Sequence, residues 1–228
     1  MSDYAFPPPP VTSIAVTSGK SFPVRRIFCV GQNYSEHARE MGGDPDADPP
    51  FFFTKPTDAI APNGAVIPYP PATFDFQHEV ELVVAFSRGG RDIDPDRVDE
   101  LIFGYAVGLD MTRRDIQAAA KKKGRPWDMS KGFDFSAPCG AITPMSETGP
   151  LAKGAIECKV NGETRQRGDL TDMIWKVPEI VRFLSALVEI RPGDLIFTGT
   201  PAGVGPVRKG DDIEATIAGL APLTVRIG

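Results

Sequence analysis

The sequence predicts an α+β protein, mostly β, with a few short helices, and three observations carry this. Glycine and proline number 23 each in a chain of 228 residues, which marks frequent turns rather than long helices. The apolar runs are short, and several alternate with polar residues at the strand period. None approaches the ~20 consecutive apolar residues of a membrane span, yet 41% of the chain is hydrophobic, enough for a sizeable core.

The elements follow in order. Residues 1–22 read as an extended N-terminal arm, with a proline tract at 7–10 and one short strand, and residues 23–228 as a single domain. Residues 26–30 form a buried strand. Asn33 with Glu36 reads as a helix cap, and the helix runs 34–41 and stops at Gly42-Gly43. The acidic, proline-rich stretch 44–50 is a loop and a lid candidate. Strands are expected at 51–54, 77–86 and 101–109, and a helix at 111–122 closed by Gly124. Residues 127–144 mix loop and strand. Asn161-Gly162 joins 156–160 to 163–167 as a hairpin. Thr171 caps a helical segment restarted at Pro178, with Ile180, Val181, Leu184, Leu187 and Val188 as its apolar face. A strand at 195–198 and a hairpin of 212–218 with 223–227 complete the chain.

Composition narrows the function. With 25 basic and 30 acidic residues the net charge is −5, not the basic footprint of a nucleic-acid binder. Two histidines cannot build a three-histidine metal site. Three scattered cysteines without a CxxC, and no secretion signal at the N-terminus, read as free thiols in a reducing cytoplasm.

Four groups of residues carry chemistry. Glu79 and Glu81 share one face of a strand, where Val83 and Ala85 continue the row, so two like charges sit on a partly buried face. They need a cation or full solvation. Asp110 ends the apolar run 101–109; a helix cap is its plain alternative, but it also offers a third hard oxygen ligand. An all-carboxylate set favours Mg²⁺, Mn²⁺ or Ca²⁺ over Zn²⁺. His37 and Glu40, at i and i+3, suit a general base whose tautomer a carboxylate fixes; an exposed surface pair is the alternative. His78 reads as a packed histidine beside the ligands. Arg114 and Gln117 face the same end from the following helix, with Lys131 beyond, while Lys121-Lys122-Lys123 reads as a solvated helix end. The glycine-rich stretch 198–205 lacks the spacing of a phosphate loop, and Thr200 there can donate a hydrogen bond.

Taken together, Val30-Gly31-Gln32-Asn33-Tyr34 with His37 and Glu40, Lys55-Pro56, His78-Glu79-Val80-Glu81-Leu82, Gly104-Tyr105, Asp110-Met111-Thr112, Lys131-Gly132-Phe133-Asp134 and 199–205 resemble the fumarylacetoacetate hydrolase superfamily in its short form. Among short forms the likeness is greatest to bacterial fumarylpyruvate hydrolases of gentisate degradation, including the surroundings of Phe51-Phe52-Phe53 and Arg125-Pro126-Trp127. The resemblance implies a mixed β-sandwich roll, a homodimer, and a cytoplasmic enzyme that cleaves the C–C bond of a 2,4-dioxo acid. It implies Glu79, Glu81 and Asp110 as ligands of Mg²⁺ or Mn²⁺, and His37 with Glu40 as the water-activating dyad. It implies Lys131, Arg114, Gln117 and Thr200 around the oxo-acid end. An acylpyruvase or oxaloacetate decarboxylase uses the same head, a hydratase or isomerase the same metal site, and a non-catalytic β-rich module none of it. A distal carboxylate on the substrate calls for a further cation, for which Arg39, Lys123 and Arg125 are the sequence candidates.

Overall fold

The computed structural model describes residues 4–40 and 49–228. Two sheets dominate. Their strands, in chain order, are β1 (Arg26–Gly31), β2 (Phe51–Lys55), β3 (Val66–Ile67), β4 (Val80–Phe86), β5 (Ile102–Leu109), β6 (Thr143–Pro144), β7 (Ala155–Val160), β8 (Glu163–Asp169), β9 (Asp194–Phe197), β10 (Asp212–Ile217) and β11 (Leu223–Ile227). The helices are α1 (Ser35–Glu40), α2 (Arg114–Lys122), α3 (Asp128–Lys131), α4 (Met145–Thr148) and α5 (Val177–Leu187). One sheet runs β6-β5-β4-β9-β1-β2 and the other β8-β7-β10-β11-β3. Both are mixed: β9 lies parallel to β1 and β11 to β3, and the remaining pairs are antiparallel.

The central strands of the six-stranded sheet are buried on both faces, which explains why β4 reads as a nearly continuous apolar run. Val80, Leu82 and Val84 face the five-stranded sheet, among Ile156, Ile213 and Val225. Val83 and Ala85 face a second core with Ile27, Cys29 and Phe197. Each such aliphatic side chain contributes about 1.5–3 kcal/mol by burial. The segment read as an arm folds back as a hairpin of Ser13–Ala15 with Ser21–Pro23, and Ile14, Val16 and Phe22 belong to this second core.

Several local expectations change. The strand expected at 77–86 is two strands: Phe76–His78 joins a small sheet with Thr112–Arg113 and Gly205–Pro206, and β4 begins at Val80. Glu79 stands at the break, and its carbonyl accepts from the Asp110 amide at 2.8 Å. The break therefore ties two of the acids together through the backbone. Asn33 does not cap α1 with its side chain, which instead bonds Trp175 and the Thr198 carbonyl. Asp110 is not a cap either, since Arg113 precedes α2. Asp169, not Thr171, caps the turn Leu170–Asp172. Leu187, counted on the apolar face of α5, is exposed, because the helix ends there and the chain turns away. Asn161 and Gly162 both take positive φ, as the tightest hairpin turn requires. The lid candidate and the end of the first helix fall mostly on residues 41–48, outside the described residues. No helix among the described residues is long and apolar enough to cross a membrane.

Candidate active site

Sheet pairing brings the chemistry to one place. Val80 at the start of β4 pairs with Leu109 at the end of β5, so Glu79 and Glu81 meet Asp110. Phe197 at the end of β9 pairs with Val83 on one side and Cys29 on the other, which adds Thr200 and the segment after β1. One cavity is lined by His37, Glu79, Glu81, Asp110, Gln117, Lys131 and Thr200. Arg114 reaches it through Glu79 and Gln117, and Glu40 through His37. The nine residues expected as metal ligands, dyad and oxo-acid contacts are thus gathered at one site.

The three acids are buried, and each offers an oxygen within 4.8 Å of the others. Burial alone would push the Glu79 carboxyl up, but Lys131 and Arg114 outweigh it and hold it well below the usual carboxylate range. Glu81 behaves oppositely. Burial, then the charges of Asp110 and Glu79, push its carboxyl well above that range, and the Gly199 amide at 2.8 Å offsets only part of this. Gly199 has φ +98°, and a Cβ there would stand 2.6 Å from that of Asn33. Only glycine lets this amide approach Glu81. Three crowded carboxylates with no histidine or thiol among them form a hard oxygen donor set, and a divalent cation relieves their mutual repulsion. The residues fit such an ion.

Lys131 comes from α3, a helix of four residues too short to show a period in sequence. Its Nζ lies 3.0 Å from Glu79, 2.8 Å from Asp110 and 2.7 Å from Thr112 Oγ1, so all three protons are engaged. His37 Nδ1 lies 3.1 Å from Glu40 Oε2. An ionised carboxylate only accepts, so Nδ1 carries the proton and Nε2 keeps its lone pair. His37 is 4% exposed while Glu40 is exposed, so the pair joins a buried ring to a carboxylate that reaches solvent.

Sequence reading missed two buried residues. Lys55, noted only as part of a motif, places Nζ 2.8 Å from Asp110 Oδ1 and donates to the Met111 carbonyl at 3.1 Å and to the Lys131 carbonyl. Gln166 joins His78 to Thr200. His78, expected beside the ligands, is packed against Gln166 and Cys158. Lys121, taken with its neighbours as a solvated helix end, is exposed as they are and also lines the cavity. Phe53 and Trp127 form an aromatic wall there, their rings 6.1 Å apart, with Phe51 edge-on to Trp127. Arg39, Lys123 and Arg125 are not among the described residues lining it.

A buried carboxylate cluster beside a histidine–glutamate pair at the strand ends of a mixed sheet defines a metal-dependent enzyme for a small anionic molecule. Residues 26–228 match the model of the fumarylacetoacetate hydrolase C-terminal domain. A fumarylpyruvate hydrolase from a Ralstonia species is 43% identical over 185 residues, covering 81% of this chain and 96% of that protein. The human mitochondrial oxaloacetate tautomerase FAHD1 is 41% identical over 203 residues, covering 89% and 91%. The crystal structure of fumarylpyruvate hydrolase from Pseudomonas aeruginosa, in complex with Mn²⁺ and pyruvate, superposes with a TM-score of 0.97 at 48% identity, covering 99% of both chains. The chain belongs to the fumarylacetoacetate hydrolase family, and it is an enzyme of the hydrolase class that acts on carbon–carbon bonds.

Proposed function

We propose that this enzyme hydrolyses a 2,4-dioxo acid, with fumarylpyruvate as the substrate and fumarate and pyruvate as the products. One observation carries the reading: a single cavity is lined by both the three-carboxylate cluster and His37, whose ring Glu40 holds. Thr200, Gln117 and Arg114 hold the oxo-acid end. A divalent cation on Glu79, Glu81 and Asp110 supplies Lewis acidity there. His37 Nε2 takes a proton from water, whose oxygen attacks the distal carbonyl carbon. The C–C bond between the two carbonyls then breaks, and its electron pair leaves with the pyruvoyl fragment as an enolate. Protonation of that carbon, with the imidazolium as donor, gives pyruvate and restores the base. Lys131 acts by its charge at a fixed point, since its protons are already engaged.

Metal removal tests the catalytic reading against a binding module. Dialysis against a chelator is expected to abolish turnover, Mn²⁺ or Mg²⁺ to restore it, and either ion to raise the Tm of the stripped protein. Full activity after chelation, or no thermal shift, would sink it.

The distal end is assigned to Lys121, in place of Arg39, Lys123 and Arg125. Arg114, Gln117 and Lys121 form one stripe along α2, and Lys121 lies about 6 Å beyond Gln117 along the axis, beside Trp127 and Phe53. Fumarylpyruvate, acylpyruvates without a distal charge, and oxaloacetate should be compared spectrophotometrically. Lys121→Met is expected to raise KM for fumarylpyruvate about tenfold and to leave acetylpyruvate unchanged. An equal loss on both would remove Lys121 from the assignment, and preference for oxaloacetate would favour the decarboxylase reading. The homodimer, the cytoplasmic setting and the gentisate route belong to this same proposal, and light scattering in solution checks the first.

A further inference from the structure

We propose that Gln166 is a positioning residue that dictates the direction of the Thr200 hydroxyl proton, so that Thr200 serves as a dedicated donor to the carboxylate of a 2-oxo acid. This rests on the reading of Thr200 as a substrate-binding residue. Gln166 is fully buried in β8, a strand whose residues are otherwise exposed or half-buried. A bulge aims it inward. Cys158 pairs with Gln166 and Lys159 with Thr164, which leaves Arg165 as the extra residue.

Gln166 has four partners. Oε1 accepts from the Val80 amide at 3.0 Å and stands 2.9 Å from His78 Nδ1. Nε2 donates to the Pro201 carbonyl at 2.8 Å and to Thr200 Oγ1 at 2.7 Å. The two backbone partners settle which end of the amide is which, because a peptide N–H only donates and a carbonyl only accepts. With the amide so fixed, His78 donates from Nδ1, and Thr200 Oγ1 accepts from Gln166. Both protons and both lone pairs of the amide are in use, and it cannot turn over without losing both backbone bonds.

The Thr200 hydroxyl therefore has one lone pair filled by Gln166, and its own proton must point elsewhere. Thr200 is buried and lines the cavity with Glu81 and Lys131. A carboxylate is an acceptor only, so a hydroxyl whose proton is turned from Gln166 and available to the cavity complements it. Without Gln166 the same hydroxyl could spend its proton on a nearby carbonyl.

The test is a double-mutant cycle read by calorimetric binding of pyruvate to the Mn²⁺-loaded protein. Thr200→Val is expected to weaken binding about tenfold, the value of one hydrogen bond to a charged group. Gln166→Glu offers Thr200 only an acceptor, so the hydroxyl turns towards it, and an equal loss is expected. The double variant should bind as Thr200→Val does, with no further loss. If the two losses multiply, or Gln166→Glu binds normally, Gln166 does not act through Thr200 and the proposal fails. If Thr200→Val itself binds normally, the reading of Thr200 fails first and the proposal with it. A neutron structure of the unmutated protein with Mg²⁺ and pyruvate reads the same point without depending on a variant's folding. Deuterium on Thr200 directed at pyruvate supports the proposal, and deuterium directed at Gln166 overturns it.

Discussion

Replacing His37 with alanine is expected to lower kcat by about 10²–10⁴-fold, the range for loss of a general base, while Mn²⁺ affinity stays as it was. Among the described residues Nε2 has no hydrogen-bond partner, and the buried ring is held at Nδ1 by Glu40. His37 touches none of the three acids through a hydrogen bond, so the metal end should survive the change. Steady-state turnover of fumarylpyruvate with saturating Mn²⁺, beside a Mn²⁺ titration of the same preparation, separates the two. A rate within threefold of the unmodified enzyme would show that water is activated elsewhere. Glu40→Gln is expected to lose less, because the ring keeps a partner at Nδ1 but no longer one that stabilises the imidazolium.

Lys55→Met should produce the largest loss of stability. The side chain of Lys55 is fully buried, and its ammonium meets Asp110 Oδ1 at 2.8 Å together with two backbone carbonyls. Methionine fills the space but leaves a buried carboxylate short of one of its two cations, with Lys131 remaining. Breaking such a pair from one side costs about 3–5 kcal/mol, which for a chain of this size is roughly 10 °C in Tm. The same substitution makes the acid cluster more negative, so added Mn²⁺ should recover more stability in the variant than in the unmodified protein. A Tm within 2–3 °C of the original, by differential scanning fluorimetry without metal, would show that Lys55 is not the structural counter-charge.

How far the site could be read in the chain depended on how each residue announces itself. Glu79 and Glu81 were legible because strand alternation puts i and i+2 on one face, and Asp110 because it ends an apolar run. His37 and Glu40 are neighbours on one turn. The two omissions have a common cause. Lys55 closes a strand as an ordinary surface lysine would, and its partner Asp110 lies 55 positions away. Gln166 sits in a polar strand, 88 positions from His78, and only a bulge turns it inward. Neither the bulge nor the break at Glu79 leaves a periodic trace. The fold class was accessible from turn content and short apolar runs, whereas the order of strands in the two sheets came from pairings across the whole chain. The cap assignment failed at Asn33 because a tertiary partner, Trp175, claimed its side chain, and at Thr171 because Asp169, two residues earlier, is the local cap instead.

The charges around the cluster can be counted. Glu79, Glu81 and Asp110, all ionised as a bound dication requires, carry three negative charges, and Lys55, Lys131 and Arg114 return three positive ones. The protein part of the site is then neutral, so the metal enters as two units of surplus positive charge. The oxo-acid head of an intact substrate brings one negative charge, its carboxylate. The fragment that departs as an enolate brings two. That second charge is matched by the proton held on His37, so opening the carbon–carbon bond leaves the net charge of the pocket unchanged, with the new negative charge beside the cation-rich cluster and the new positive charge on the imidazole that Glu40 holds.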